Sequence, residues 1–204
     1  MKILGMGVDV SHWQGFVDWQ KVVNDIHAKG YYAFGIVKTS GGDAGFYQDA
    51  QYINNKNNAR QFCDAVGFYH FMGTTFTPTQ EADFFLKTIN GDIKQGEFLC
   101  MDAEKGQTDA QKLAFEAEVK RLAQVNGLDY PSDTDQVLHT ANYGTWAARY
   151  GWNLGGVPSS LFYPKGVYVI WQFTSKGSVD GITGKVDMDL TQLPLGTLKK
   201  YGKQ

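Results

Sequence analysis

Residues 98–104, Phe-Leu-Cys-Met-Asp-Ala-Glu, are an apolar run that ends in two carboxylates two positions apart. Residues at this spacing in a β-strand point to the same face, so Asp102 and Glu104 are expected to project together from the end of a buried strand. Two neighbouring carboxylates repel each other, which raises the pKa of one and leaves the other ionised. The segment therefore predicts a buried strand that ends at an acidic site.

Strand-like and helix-like stretches alternate on both sides of this segment. The predicted strands are 3–10, 31–37, 65–71, 98–101 and 137–141, and the predicted helices are 17–29, 47–62, 79–89, 110–125 and 144–150. Typical helix boundaries support these helices: Thr77-Pro78 before the third, Asn90-Gly91 after it and Asn126-Gly127 after the fourth. Alternation of this kind predicts five β-α units.

The pattern changes after residue 150. Residues 161–163, 167–173 and 186–190 resemble strands, but their spacers are short and rich in Gly, Pro and Ser. Because parallel strands need a long crossover, at least one of these strands should run antiparallel. We therefore predict an α/β fold, an irregular TIM-like barrel of five β-α units followed by about three strands. The barrel is expected to span 1–195, with 196–204 as a polar tail or the start of a linker.

Composition excludes several classes of protein. The 204 residues with 43% hydrophobic content suit one domain, and the net charge of -2 offers no footprint for nucleic acid or anionic lipid. The amino terminus has too short an apolar run for a signal peptide, and no segment is suited to span a membrane. Cys63 and Cys100 lie in apolar surroundings, which favours free buried thiols over a disulfide. A monomer is the default expectation.

Acidic residues stand at the ends of three predicted strands. In a β-α barrel, the functional groups lie where strands end and loops begin. Asp9 ends the first strand, and Asp187 and Asp189 lie in the last. A single acid at a strand end is common because Asp favours turns, but acids on three strands, with Asp102 and Glu104 among them, favour an acidic cleft. A protonated carboxyl beside an ionised one is what acid-catalysed glycoside cleavage requires.

Six short motifs extend this picture. They are residues 9–14 (Asp-Val-Ser-His-Trp-Gln), Lys38, residues 67–71 (Gly-Phe-Tyr-His-Phe), residues 102–104, residues 171–173 (Trp-Gln-Phe) and residues 186–189 (Val-Asp-Met-Asp). In this order, the motifs resemble glycoside hydrolase family 25, the Chalaropsis-type lysozymes, which include many phage endolysins. The resemblance covers about residues 5–191. It implies a flattened barrel of five β-α units and three strands.

The chain departs from the family's usual pattern at residues 39–42, at Asp189, and in the abbreviated region 160–164, where the family's usual tryptophan-containing segment is hard to find. Family members usually carry an acid-containing turn after the lysine of the second strand, whereas this chain has residues 39–42, Thr-Ser-Gly-Gly. They usually have Asn where this chain has Asp189. These departures leave the details of the cleft open.

The resemblance implies cleavage of the β-1,4 bond between N-acetylmuramic acid and N-acetylglucosamine in bacterial peptidoglycan, without a cofactor. Glu104 would be the general acid, and Asp102 would orient the 2-acetamido group of the substrate. Asp9 and Asp187 would hold hydrogen bonds and negative potential around the developing oxocarbenium ion. The carboxyl separation does not follow from sequence, so retaining and inverting outcomes stay open. An endolysin without a signal peptide would stay in the host cytoplasm until it is released to the cell wall or otherwise exported.

Further side chains are candidates for substrate binding. Tyr69, Tyr143 and Trp171 are suited to stack on sugar rings, although a packing role is equally compatible with each. Position in the motifs adds the following polar residues: Lys38, Gln172 and Asp189. His70 and His139 are expected to be hydrogen-bonded core residues, and no zinc-type spacing is present, so no metal is predicted. A non-catalytic peptidoglycan-binding barrel and a metal-dependent hydrolase remain as alternatives.

Overall fold

The computed structural model describes residues 2–125, 127–131, 144–148, 150 and 168–204. The strands in this part of the chain are β1 (Gly5–Val10), β2 (Tyr32–Gly41), β3 (Tyr47–Gln48), β4 (Ala65–Phe71), β5 (Phe98–Ala103), β6 (Gly127–Pro131), β7 (Gly144–Ala148), β8 (Tyr168–Gly177) and β9 (Val186–Thr191). The helices are α1 (Trp19–Ala28), α2 (Tyr52–Phe62), α3 (Pro78–Ile89), α4 (Asp109–Ala123) and α5 (Leu195–Leu198), with 3₁₀ turns at His12–Gln14 and Lys199–Tyr201.

Eight of these strands close into a barrel in the order β1-β9-β8-β7-β6-β5-β4-β2, and β2 pairs with β1 to complete the ring. Neighbouring strands are parallel except at β9, which runs antiparallel to both β8 and β1. The short β3 pairs antiparallel with the end of β2, outside the ring. The predicted TIM-like barrel and its antiparallel strand near the carboxyl terminus are confirmed.

Local sequence sets the ends of the helices that surround the barrel. Thr77 and Gln80 form a reciprocal capping box at the start of α3, and Asn90 ends that helix in the left-handed region with φ 54°. A second capping box, with Thr108 at the cap, starts α4, which ends at Gln124 with φ 55°. These caps satisfy backbone groups that have no partner within the helix.

Side chains of each barrel strand alternate between the surrounding helices and the barrel interior. On β5, Leu99 and Met101 join the apolar core that also contains the buried faces of α1, α3 and α4. Phe98 and Cys100 belong to a second apolar cluster, which fills the interior. Asp102 continues the Phe98 and Cys100 face and therefore points into the barrel at its carboxyl end.

Two glycines allow large rings to fill this interior. A Cβ at Gly67 would lie 2.2 Å from the Phe98 ring, and a Cβ at Gly7 would lie 2.4 Å from the Phe34 ring. These distances are well inside van der Waals contact, so the rings occupy space that a side chain would otherwise take. A glycine on one strand thus leaves room for the phenylalanine ring of the neighbouring strand, and these rings fill the barrel interior.

Three local predictions are wrong. Residues 144–150 were expected to form a helix, but residues 144–148 form β7, whose residues are all buried. Tyr47–Gln48 form β3 in place of a first helical turn. The fourth helix was expected to extend to residue 125, but α4 ends at Ala123, and residue 127, expected in the turn after the helix, begins β6. In each case pairing with neighbouring strands outweighs weak local preference.

The remaining predictions concern two further strands, the cysteines and membrane-spanning segments. The predicted strands at 137–141 and 161–163 lie outside the described residues. Cys63 and Cys100 are both free, as expected. None of the helices that the structure describes has the length and apolar character needed to cross a membrane.

The segment after residue 194 packs against the barrel. Leu198 is fully buried in the interior cluster. The backbone N–H of Lys203 donates to the carbonyl of Glu97 at 3.0 Å, and that of Gly96 donates to the carbonyl of Lys203 at 2.7 Å. These bonds hold the chain end beside the start of β5. The division of the chain at residue 195 stays a prediction.

Candidate active site

A cleft of about 450 Å³ opens at the carboxyl ends of the parallel strands. Its lining combines carboxylates, lysines and aromatic rings, and comprises Asp9, Val10, Ser11, His12, Trp13, Gln14, Lys38, Asp43, Tyr47, Tyr69, Phe71, Asp102, Glu104, Lys105, Trp146, Tyr150, Gln172 and Asp187. The structure thus brings the four candidate catalytic acids into one cavity. The strand direction explains how β9 contributes, since its amino end meets the carboxyl end of β1, and Asp187 lies opposite Asp9 in the register.

Asp102 and Glu104 differ in their surroundings. Asp102 is buried at the end of β5, where burial and then the charge of Glu104 raise its pKa well above the usual range. Its Oδ1 has no hydrogen-bond partner among the described residues. Glu104 lies one residue beyond β5 and is exposed to solvent. Partial burial by the cleft walls raises its pKa, although Lys105 and Lys38 oppose the shift. A buried acid thus stands beside an accessible acid, and the pKa of each is raised.

Asp187 adds a third carboxyl to this cavity. Burial, followed by the charge of Glu104, raises the pKa of Asp187 to about 6. This carboxyl is therefore ionised at neutral pH and gains a proton under mildly acidic conditions. The cavity accordingly carries a pH-dependent negative potential.

Asp9 is held by a chain of hydrogen bonds that begins at the cleft wall. Gln172 Nε2 donates to Asp9 Oδ2 at 2.7 Å, and the hydroxyl of Tyr150 donates to Gln172 Oε1. Burial, together with the charges of Asp187 and Asp189, raises the pKa of Asp9. Asp189 itself is fully buried and lies behind Asp9 rather than on the cleft surface.

Lys38 is the buried cation of the cleft. Its Nζ lies 4.5 Å from the ring centroid of Phe71, 5.6 Å from that of Tyr47 and 5.7 Å from that of Tyr69. Rings at this range stabilise an ammonium group through cation–π attraction. Lys105 Nζ approaches the same Phe71 ring at 5.3 Å. Two ammonium groups therefore stand near the acids without an ion pair to them in the described ranges.

The aromatic candidates separate into two environments. Tyr69 lines the cleft, and its ring meets Trp146 edge to face at 5.8 Å between centroids. Trp171 is nearly buried, packs edge to face on Phe173 at 6.0 Å and belongs to the core between sheet and helices. The structure does not place its ring on the cleft lining. Tyr143 lies outside the described residues.

Trp13 is a cleft residue that sequence reasoning did not select. It is 81% exposed at the rim, on a 3₁₀ turn that Ser11 and Gln14 fix through a capping box. The ring of His12 lies 4.7 Å from that of Trp13, and His12 Nδ1 is 2.7 Å from Asp49 Oδ2. An exposed aromatic ring at the rim of a cleft offers a face on which a sugar ring can stack. The sequence showed a tryptophan in a motif but no sign of its exposure.

His70 lies in the core, as predicted. Its Nδ1 is 2.8 Å from Ser40 Oγ, its Nε2 is 2.6 Å from Glu81 Oε2, and its ring stacks on Phe115 at 5.9 Å. Burial lowers the pKa of His70 despite the bond to Glu81. His139 lies outside the described residues. In the parts of the chain that the structure describes, no group of three His, Cys, Asp or Glu side chains is arranged to hold a metal ion.

Comparisons with known proteins agree with this geometry. The profile of the family described as "Glycosyl hydrolases family 25" matches residues 8–182. The chain is 28% identical over 196 residues to the autolytic lysozyme of Clostridium acetobutylicum, a match that covers 90% of this chain and 54% of that protein.

Two solved structures share the fold. The bacterial lysozyme from Streptomyces coelicolor gives a TM-score of 0.72 at 22% identity and covers 99% of this chain and 98% of its own. The catalytic domain of endolysin ply40, from a bacteriophage of Listeria monocytogenes, gives 0.74 at 24% identity and covers 98% and 99%. With the profile matching most of its length, the chain belongs to glycosyl hydrolases family 25 and is a glycoside hydrolase.

Proposed function

We propose that this protein is a muramidase that cleaves the β-1,4 bond between N-acetylmuramic acid and N-acetylglucosamine in bacterial peptidoglycan. The observation that carries the proposal is the pairing of a buried carboxyl, Asp102, with an accessible carboxyl of raised pKa, Glu104, in one open cleft. The family relationship and the relative named an autolytic lysozyme support this substrate.

Glu104 is the general acid in this mechanism. It is accessible to a glycosidic oxygen in the cleft, and its raised pKa keeps a larger fraction of it protonated than for an ordinary glutamate. Its proton passes to the leaving oxygen as the bond to the anomeric carbon breaks. The carboxylate that results then accepts a proton from the water that completes hydrolysis.

Asp102 positions the substrate's own nucleophile. Its Oδ1 is buried and has no donor among the described residues, so it is available to accept a hydrogen bond from the acetamido N–H of the substrate. That bond orients the acetamido carbonyl oxygen, which attacks the anomeric carbon and forms a cyclic intermediate. Water opens this intermediate by attack at the same carbon. Asp102 therefore acts without forming a bond to the sugar.

Asp9 and Asp187 surround the developing positive charge. They lie opposite each other at the ends of β1 and β9, and both line the cleft. Negative potential at fixed positions stabilises an oxocarbenium-like transition state more than the neutral ground state. Gln172 holds Asp9 in place through its hydrogen bond.

Substrate binding draws on the cleft walls. Tyr69 and Trp13 offer rings for stacking on sugars, and Lys38 offers a cation near the acids. Contacts of Trp171, Tyr143 and Asp189 with substrate remain predictions of the sequence. The relatives named autolytic lysozyme and endolysin support action at the cell wall, which this chain would reach after release or export. A monomeric state also stays a prediction.

The test is release of reducing sugar ends from purified Gram-positive cell walls. Glu104→Gln keeps the shape of the side chain but removes the proton donor, and should lower the rate by about 10²–10⁴-fold. Glu118→Gln is the matched control, because Glu118 lies on α4 and pairs with Arg121 on the exposed surface. Its rate should equal that of the unchanged protein.

Four results would contradict the proposal. Equal rates for Glu104→Gln and the unchanged protein would remove Glu104 from its role. Binding to cell walls without any new reducing ends would favour a non-catalytic peptidoglycan-binding barrel. Loss of activity with a chelator would favour a metal-dependent hydrolase. Mass spectrometry of the fragments should find N-acetylmuramic acid at the new reducing end, and N-acetylglucosamine there would exclude a muramidase.

A further inference from the structure

The hairpin at residues 41–48 lines the cleft but has no part in the mechanism above. It joins β2 to β3, and Gly41 stands opposite Tyr47 in the antiparallel register. Asp43 and Tyr47 are both part of the cleft lining. The hydroxyl of Tyr47 donates to Asp43 Oδ1 at 3.0 Å. A carboxyl and a tyrosine hydroxyl are therefore joined on this wall of the cleft.

The glycine at residue 41 makes room for this pair. A Cβ at Gly41 would lie 2.4 Å from the hydroxyl oxygen of Tyr47, well inside van der Waals contact. The hydroxyl therefore occupies the space that a side chain at residue 41 would take. Burial, followed by the bond to Asp43, raises the pKa of Tyr47, so the hydroxyl keeps the proton that it donates.

Backbone and ring contacts hold the hairpin in place. The backbone N–H of Gly42 donates to the carbonyl of Phe71 on β4 at 3.0 Å. The ring of Phe46 stacks on those of Phe76 and Phe84, with centroids 3.8 and 4.5 Å away. Because these contacts already order the hairpin, its side chains lose little conformational freedom when a ligand binds.

Asp43 has an oxygen free to accept a hydrogen bond. It is an exposed residue, and in the part of the chain that the structure describes its Oδ2 has no hydrogen-bond donor. A carboxyl oxygen accepts from a hydroxyl, the commonest donor on a sugar. Tyr69 and Phe71 place rings in the same cleft lining. Rings beside a polar acceptor suit the apolar face and the hydroxyls of a pyranose.

We propose that Asp43 binds a sugar hydroxyl of the glycan through its Oδ2, and that Tyr47 is a positioning residue that holds the Asp43 carboxyl toward the cleft. The identity of the glycan as peptidoglycan rests on the proposed function, whereas binding by this pair requires no cleavage.

Asp43→Ala tests the contact with the glycan. It is made in the Glu104→Gln protein, so that turnover does not disturb the measurement, and binding of soluble peptidoglycan fragments is followed by calorimetry. The Kd should rise roughly 3–10-fold, the effect of one hydrogen bond. Asp180→Ala is the matched control, because Asp180 is also exposed but does not line the cleft. Equal Kd values for Asp43→Ala and the control would overturn the proposal.

Tyr47→Phe tests the positioning role. It removes only the hydroxyl that orients Asp43, so the Kd should rise roughly 2–5-fold. The double variant Asp43→Ala/Tyr47→Phe should bind no more weakly than Asp43→Ala, because the hydroxyl acts through the carboxyl. Additive losses would show that Tyr47 contacts the glycan by itself, and would overturn its role as a positioning residue.

Glycan strands with and without stem peptides identify the donor that Asp43 accepts from. A sugar hydroxyl is present in both preparations, so Asp43→Ala should weaken binding by the same factor in each. A loss confined to the peptide-bearing strands would assign Asp43 to a peptide N–H and overturn the contact with sugar.

Binding and cleavage together distinguish this inference from the proposed function. If the unchanged protein releases no reducing ends but Asp43→Ala still weakens glycan binding, the proposed function fails and the role of Asp43 stands. If the unchanged protein cleaves cell walls and Asp43→Ala binds fragments as tightly as the control, the role of Asp43 fails and the proposed function stands.

Discussion

At the scale of single residues, the cleft places chemically similar groups in different environments. Asp102 and Glu104 differ by two positions in sequence, yet one faces the barrel interior and the other faces solvent. Asp187 and Asp189 show the same contrast on β9, where one lines the cleft and the other is covered. Environment rather than residue type therefore separates these carboxyls in accessibility and in pKa.

Trp13 provides a prediction at this scale. Removal of its exposed ring should weaken glycan binding by the energy of one stacking contact, about 0.5–1.5 kcal/mol, or roughly 2–10-fold in KM, with kcat nearly unchanged. Steady-state rates of Trp13→Ala on soluble peptidoglycan fragments measure both KM and kcat.

Phe16→Ala is the control for that measurement. Phe16 is 74% exposed on the same loop but does not line the cleft. Its KM should equal that of the unchanged protein. A tenfold loss of kcat in Trp13→Ala, with KM constant, would assign the ring to the chemistry and contradict a binding role.

At the scale of elements, ion pairs join a helix to the start of a strand at the end of the barrel away from the cleft. Arg60 of α2 makes a bidentate contact with Glu97, just before β5, at 2.6 and 2.8 Å. It also donates to Asp92 at 2.6 Å. Planar two-point pairing of this kind is the strongest form of ion pair between side chains, and it ties α2 to the loop that enters β5.

Arg60→Met should therefore destabilise the fold. Glu97 is nearly buried and would lose its cationic partner, and removal of one member of a buried pair costs about 3–5 kcal/mol. Urea unfolding at 25 °C should show the loss as a lower midpoint with an unchanged slope.

Arg121→Met is the comparison for Arg60→Met. Arg121 pairs with Glu118 at 2.5 Å on the surface of α4, where solvent screens the pair. Its unfolding midpoint should not change. If both variants lose the same stability, the Arg60–Glu97 ion pair contributes no more to the free energy of unfolding than a surface ion pair does. Below its melting temperature, Arg60→Met should keep the activity of the unchanged protein.

At the scale of the whole molecule, the barrel separates stability from chemistry. Its interior is filled by aromatic and aliphatic side chains below the cleft, while polar groups collect at the carboxyl ends of the strands. Because β9 runs antiparallel to its neighbours, its amino end lies at the carboxyl ends of the other strands. Asp187 therefore lies at the same mouth of the barrel as Asp9. One strand of reversed direction therefore completes the acidic cleft.

Gly67→Ala tests how tightly that interior is packed. The added methyl group would lie 2.2 Å from the Phe98 ring, so the ring or the strand must shift, at a cost of about 1–3 kcal/mol. Chemical denaturation measures the cost. Gly196→Ala is the control, because a Cβ there meets nothing within 4 Å. If Gly67→Ala is as stable as the control, the interior is looser than the ring contacts indicate.

The sequence by itself determined the alternation of strands and helices, the helix cap at Thr77, and the acids at strand ends. These features depend on neighbouring residues, so local physics carries them. The strand at residues 144–148 escaped prediction because Ala and Trp in a short run have no clear period. Only pairing with β6 and β8 makes this segment extended.

Only the tertiary structure decided how the acids differ. In sequence, Asp9, Asp187 and Asp189 are equivalent polar residues in apolar strands. Closure of the barrel buries Asp189, brings Trp146 to Asp189 and Gln172 to Asp9, and leaves Asp187 facing the cavity. Exposure of Trp13 and burial of Trp171 follow from the same closure. Burial and charge coupling depend on distances between strands far apart in sequence, and those distances exist only in the folded barrel.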